Sequence, residues 1–109
     1  MAERPWLGSY DPGVPHALDY PDQDIYSFVA AAAHANADKT AAIFMGKKLT
    51  FGEIFDQAGR MAGALYAKGV KKGDRVVLLL PNCPQFIIAY YAIQRLGATV
   101  VLANPLNVE

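Results

Sequence analysis

Arg75-Val76-Val77-Leu78-Leu79-Leu80 runs without interruption behind the turn Lys72-Gly73-Asp74, and Thr99-Val100-Val101-Leu102 returns after a single intervening segment. An unbroken aliphatic run of this length reads as a strand covered on both faces, the pattern of a parallel sheet. The segment between the two runs reads as a helix. Asn82 is placed to cap it, Pro84 falls near its first turn, and Gly97 supplies a stop after Leu96. Nearly every side chain from Phe86 to Ile93 is apolar, so this helix needs cover on all sides. Strand, helix and strand together occupy the 28 residues from Arg75 to Leu102, the size of a right-handed βαβ crossover. The fold class is therefore α/β.

Working back towards the N-terminus, Thr50 followed by Glu53 has the spacing of a capping box. Phe51, Ile54, Phe55, Ala58, Met61, Ala62 and Leu65 then form one apolar stripe with Asp56, Gln57 and Arg60 opposite, and Gly69 ends the helix. Residues 41–45 and 48–50 flank Gly46 and Lys47, which predicts a hairpin of two small strands. An alanine-rich helix is expected from Ile25 to about Asn36, with Asp22 and Asp24 as cap candidates and Ile25, Phe28, Val29 and Ala32 at helical spacing. Residues 1–24 hold Pro5, Pro12, Pro15 and Pro21 with Gly8 and Gly13, and read as an extended leader. Trp6 and Tyr10 in that leader call for a body to lie against. The organisation is thus a leader over residues 1–24 and one α/β segment over residues 25–109. Two buried strands and an all-apolar helix need layers on both sides, so the core is expected to be unfinished at Glu109.

Composition narrows the function classes. Hydrophobic residues make up 53% and charged residues 18%, which excludes a disordered chain. Formal net charge is zero, so no bulk attraction draws the molecule to nucleic acid. The distribution is uneven: residues 1–38 carry six acids and one base, residues 39–109 nine bases and four acids. Lys47 and Lys48 cluster at one turn, Lys68, Lys71 and Lys72 at another; solvated turn charge and an anionic-membrane patch are the two readings. No residue from Val76 to Gln94 is charged, but Pro81 and Pro84 interrupt what a membrane-spanning helix would need. With one cysteine and no apolar run near the N-terminus, the expected location is the cytoplasm, membrane-peripheral placement being the alternative.

The search for chemistry returns no site. Phosphate cradles need successive glycines, whereas the turn after the first strand reads Pro81-Asn82-Cys83-Pro84. Cys83 near a helix N-terminus could be a nucleophile, but no histidine is close in sequence, and a structural cysteine is the expected role. His16, His34 and the scattered acids show no metal-ligand spacing. Asp22 and Asp24 are read as caps and not as paired catalytic carboxylates. No catalytic, cofactor-binding or metal-binding residue is assigned.

Three stretches carry a resemblance. Leu49-Thr50-Phe51 with Glu53-Ile54, then Gly73-Asp74-Arg75-Val76 with Leu80-Pro81-Asn82, then Leu96-Gly97-Ala98 with Asn104-Pro105-Leu106, stand in the order and spacing of the opening region of the adenylate-forming (acyl-CoA synthetase and ligase, AMP-dependent synthetase) superfamily, which the chain resembles. Trp6-Leu7, Tyr10 and Val14-Pro15 resemble the opening of its long-chain fatty-acid–CoA ligase branch. The resemblance implies part of a large N-terminal domain, belonging to an enzyme that activates a long-chain fatty acid with ATP and passes it to CoA, with Mg2+ offsetting phosphate charge. Such enzymes bind ATP through a Ser/Thr/Gly-rich loop and a later aspartate, and close a C-terminal domain bearing a lysine over the acyl adenylate. None of these motifs is present in the 109 residues, so the segment alone is expected to be inactive and, through its apolar surface, to self-associate. The alternative is a free-standing, non-catalytic α/β module that docks or dimerises.

Overall fold

The computed structural model describes residues 3–107. Its elements are a 3-10 helix Pro5–Ser9, then α1 Ile25–Ala35, β1 Thr40–Phe44, β2 Lys47–Thr50, α2 Phe51–Ala67, β3 Arg75–Leu79, α3 Pro84–Arg95 and β4 Thr99–Ala103. β1 and β2 pair antiparallel, β3 and β4 pair in parallel, and the two pairs form separate sheets. In the parallel pair Arg75 stands opposite Thr99 and Leu79 opposite Ala103. α3 is the crossover between them, as the aliphatic runs imply.

α2 forms where the capping box predicts it. The Thr50 hydroxyl accepts from the Glu53 amide at 3.1 Å, and the Glu53 carboxylate accepts from the Thr50 amide at 2.8 Å. Ile54, Ala58 and Ala62 of the expected stripe are buried. α2 and α3 end alike. Beyond α2, Gly69 (φ 98) donates to the Tyr66 carbonyl and Val70 to that of Leu65; beyond α3, Gly97 (φ 72) donates to Gln94 and Ala98 to Ile93. This is the Schellman pattern, which satisfies the last carbonyls and turns the chain back towards the sheet.

The core lies between α2, α3 and the hairpin, around Leu49, Ile54, Ala58 and Ile88. A row of aromatic contacts crosses the three helices: Tyr26 to Phe55 at 6.1 Å, Phe55 to Tyr91 at 5.3 Å and Tyr91 to Tyr90 at 5.2 Å between ring centroids. On α3 Ile88, Ala89, Ala92 and Ile93 are buried, while Phe86, Ile87, Tyr90 and Tyr91 are only half-buried and line an open groove, so the cover its composition demands is incomplete on that side.

Four expectations change. The hairpin loop is Met45-Gly46 and not Gly46-Lys47: both loop residues have positive φ, 49 and 83, the mark of a type I′ turn, and Lys47 already pairs with Phe44. The helix before the hairpin buries Ala33, with Tyr26, Val29 and Ala30 half-buried, while Ile25, Phe28 and Ala32 of the expected stripe face out. Small alanines let α1 approach α2 and α3 closely, and that contact outweighs the larger side chains. β3 is covered on one face only, by α3; Val77 and Leu79 on the other are 63% and 57% exposed. Asn82 is not the cap of α3, since Cys83 occupies that position without a side-chain bond.

Residues 1–24, read as extended, contain the short 3-10 helix, which Pro5 opens with its pre-set φ. Trp6 remains 56% exposed and Tyr10 41%. The expectation about the core at Glu109 falls outside the described residues.

Candidate functional site

Parallel sheets place ligands at the carboxyl ends of their strands, where loops diverge and helix N-termini converge. In this chain that position is a cleft of about 490 Å3 lined by Leu80, Pro81, Asn82, Phe86, Asn104 and Leu106, among others. β3 delivers the first three, α3 contributes Phe86, and the segment after β4 closes the far side.

The chemistry this cleft can offer is limited. Pro81 and Pro84 remove two amides from the turn leading into α3. The Asn104 carboxamide oxygen accepts from the Leu106 amide at 2.9 Å, a turn that shapes the wall and occupies that oxygen. What remains is apolar surface, the Phe86 ring included, with the Asn82 and Asn107 carboxamides. No acid, base or nucleophile lines the cleft. Such a surface can pack or hold an apolar group, and it cannot move a proton.

Cys83 lines a neighbouring groove with Ala42, Ile43, Phe44, Pro84 and Ile87, between the hairpin and the start of α3. The thiol is half-buried and the groove has no histidine. His16 packs edge-on against Tyr10 with ring centroids 5.7 Å apart, and His34 sits exposed in the last turn of α1. Asp24 caps α1: its carboxylate accepts from the Ser27 amide at 2.8 Å and from the Ser27 hydroxyl at 2.7 Å. Those two bonds hold its carboxyl below the ordinary aspartate range. Asp22 makes no such cap. Burial, with a lesser push from Tyr90, raises the Tyr91 phenol. Among the described residues no three metal-capable side chains cluster, and no helix is long and apolar enough to cross a membrane.

A family model described as AMP-binding enzyme matches residues 29–109. The chain belongs to the AMP-binding enzyme family. Within that family it is 44% identical over all 109 residues to a long-chain-fatty-acid–CoA ligase of Bacillus subtilis (strain 168), covering 20% of that protein. It is 36% identical over 107 residues to a long-chain-fatty-acid–CoA ligase of Salmonella typhimurium, covering 95% of this chain and 19% of that one. Among solved structures, the N-terminal subdomain of Klebsiella oxytoca NpsA superposes with a TM-score of 0.76 at 26% identity, over 79% of this chain and 23% of the other. The α/β class, with its antiparallel hairpin and parallel pair, is therefore that of the N-terminal subdomain of adenylate-forming enzymes. The chain spans about a fifth of the length of the curated relatives it matches.

Two features escaped sequence reasoning. One is Met45 in the hairpin loop, since Met-Gly is not among the usual type I′ pairs; the two-residue gap between Phe44 and Lys47 was the available signal. The other is Arg95, whose guanidinium carbon stands 5.9 Å from the Tyr26 ring centroid. Nothing in the spacing of Tyr26 and Arg95 announces a contact between α1 and α3.

Proposed function

We propose that this chain is a scaffold segment of the large N-terminal domain of a long-chain fatty-acid–CoA ligase. The observation that carries the reading is the 44% identity to such a ligase across the whole of the chain. In the parent enzyme the fatty-acid carboxylate attacks the α-phosphorus of ATP, releasing pyrophosphate and leaving an acyl adenylate. The CoA thiol then displaces AMP to give the thioester. ATP, CoA and the fatty acid are substrates of that parent, and Mg2+ would offset phosphate charge there. The described residues offer no cluster that fits a magnesium ion and no glycine-rich cradle for a phosphate, so no step is assigned to this segment. Its residues build: the Thr50–Glu53 box and the Gly69 and Gly97 stops set α2 against α3 and the hairpin, and α3 against β3 and β4.

Two measurements test this. The 109-residue chain, given ATP, pyrophosphate and palmitate, is expected to show no fatty-acid-dependent exchange, and turnover would refute the scaffold role. Exchanging the chain for its counterpart in the Bacillus subtilis ligase is expected to leave a folded enzyme that releases AMP with long-chain acids. A folded chimera without that activity would refute the ligase assignment. The alternative of a free-standing docking module has no observation in its favour.

A further inference from the structure

The N-terminal part of the chain is held differently from the rest. Among the described residues no hydrogen bond joins residues 3–35 to any position beyond Asn36. The leader bonds only to itself, Leu7 donating to Arg4, Tyr10 to Leu7, Val14 to Asp11 and Gln23 to Pro21. α1 contributes one buried side chain, Ala33, whereas α2 buries Ile54, Ala58 and Ala62, and α3 buries Ile88, Ala92 and Ile93 among others. The ion pair of Arg60 with Asp56 lies within α2 and ties nothing to α1.

Backbone stitching begins abruptly at Ala37. Its carbonyl accepts from the Gly52 amide at 3.0 Å, and the Lys39 carbonyl accepts from the Phe51 amide at 3.0 Å. A Cβ added at Gly52 would stand 3.2 Å from the Ala37 oxygen, so the missing side chain lets this backbone sit tight against the start of α2. Before that point α1 rests on side chains alone: Ala33, the Tyr26 ring against Phe55, and the Arg95 guanidinium over the Tyr26 ring. Segments with few buried apolar contacts and no long-range hydrogen bonds open at lower free energy than the core.

We infer that residues 3–36 are a clip that swings away from the body as one unit while the body stays folded, with its hinge at Asn36 and Arg95 as its latch. Asn36 is the non-helical residue that ends α1, and opening there breaks the ring contacts of Tyr26 while leaving α2, α3 and both strand pairs intact. What opening uncovers is apolar. Phe55 lies under Tyr26 and meets Tyr91 at 5.3 Å, and Tyr91 lines the open groove of α3 with Phe86, Ile87 and Tyr90. The clip is thus the cover at one end of that groove, and its release extends the groove onto α2. The inference does not depend on the ligase reading.

The test is native-state hydrogen exchange on the 109-residue chain, read amide by amide as denaturant is raised below the unfolding transition. Amides of α1 are expected to exchange about tenfold or more faster than the slowest amides of α2 and α3, and to converge on one opening of their own. Two substitutions separate a clip from a general loss of stability. Ile88→Val thins the cluster of Leu49, Ile54, Ala58 and Ile88, which contains no α1 residue, so it destabilises the closed and open forms alike. It is expected to speed exchange in α2 and α3 and to leave α1 unchanged, whereas in a single cooperative unit all three would speed together. Arg95→Gln keeps a polar stem and removes the charge over the ring. It is expected to speed α1 exchange about two- to fivefold, the worth of an exposed cation–π contact expressed as an equilibrium ratio. Amides of α1 that exchange with those of α2 and α3, or singly with no common opening, would overturn the proposal. So would α1 exchange that follows Ile88→Val, or that Arg95→Gln does not move.

Discussion

Arg95 closes over Gly59: a Cβ added at Gly59 would lie 2.6 Å from Arg95 Nη1. The missing side chain on α2 is the space that lets the α3 guanidinium reach the Tyr26 ring on α1. Glycine inside a helix ordinarily costs about 1 kcal/mol relative to alanine. The cation–π contact it permits is worth about 0.5–1 kcal/mol at an exposed site. Gly59→Ala is therefore expected to change stability little in the unaltered chain. In an Arg95→Ala background the same change is expected to stabilise by about 1 kcal/mol. Denaturant titration of the four proteins in this cycle measures the coupling, and strict additivity would show that Gly59 does not make room for Arg95.

Gly97 holds φ 72 at the end of α3, and a Cβ there would meet Lys72 Cγ at 3.0 Å. Gly97→Val adds a branched side chain where positive φ disfavours any, at a cost of about 1–2 kcal/mol or more. The melting temperature is expected to fall by several degrees, about 4–8 °C per kcal/mol for a domain near this size. An unchanged melting curve would mean that the Schellman bonds of Gly97 and Ala98 do not matter to the fold.

Asp24 gives α1 a pH dependence of known sign. Its folded carboxyl titrates below the ordinary aspartate value because the ionised form accepts the Ser27 amide and hydroxyl. A group whose pKa is lowered on folding contributes stability that is fully present above the unfolded value, near about 4, and is lost as pH falls through the folded value. Helicity of α1 is expected to fray below about pH 4, and Asp24→Asn to flatten that limb of the acid titration followed by circular dichroism. A limb of the same steepness in Asp24→Asn would assign the acid sensitivity to another group.

Val77, Leu79 and Val101 stand on the face of the parallel pair that α3 does not cover. Exposed apolar surface of this kind drives association. The isolated chain is expected to bind a hydrophobic dye and to self-associate as concentration rises, and Val77→Lys with Leu79→Lys to reduce both. A monomer at high concentration with no dye signal would count against it.

Legibility in the sequence followed how strongly each residue constrains its neighbours. Thr50 and Glu53 announce a helix start because two side chains must satisfy two amides at one spacing, and the large residues after them leave a single way to face the core. The aliphatic runs of β3 and β4 were equally plain. α1 was misread because alanine is tolerated on every face: Ile25 and Phe28 suggested one stripe, while close approach through Ala30 and Ala33 selected another. The hairpin loop slipped by one residue because Met45 takes a conformation its type rarely adopts. The absence of any assigned catalytic group was a reading of composition, and the contact of Arg95 with Tyr26 was out of reach because 69 positions of chain separate them.

The two strand pairs close over very different lengths of chain. β1 meets β2 across two residues, and β3 meets β4 across a single helix. Among the described residues each pairing is made between strands adjacent in the sequence, but the parallel partners stand 24 positions apart (99 − 75), so closing the hairpin costs less entropy than closing the parallel pair. Both pairs can form as soon as their residues have left the ribosome, with no wait for distant partners. A chain so connected meets its strand partners in the order in which its residues are made.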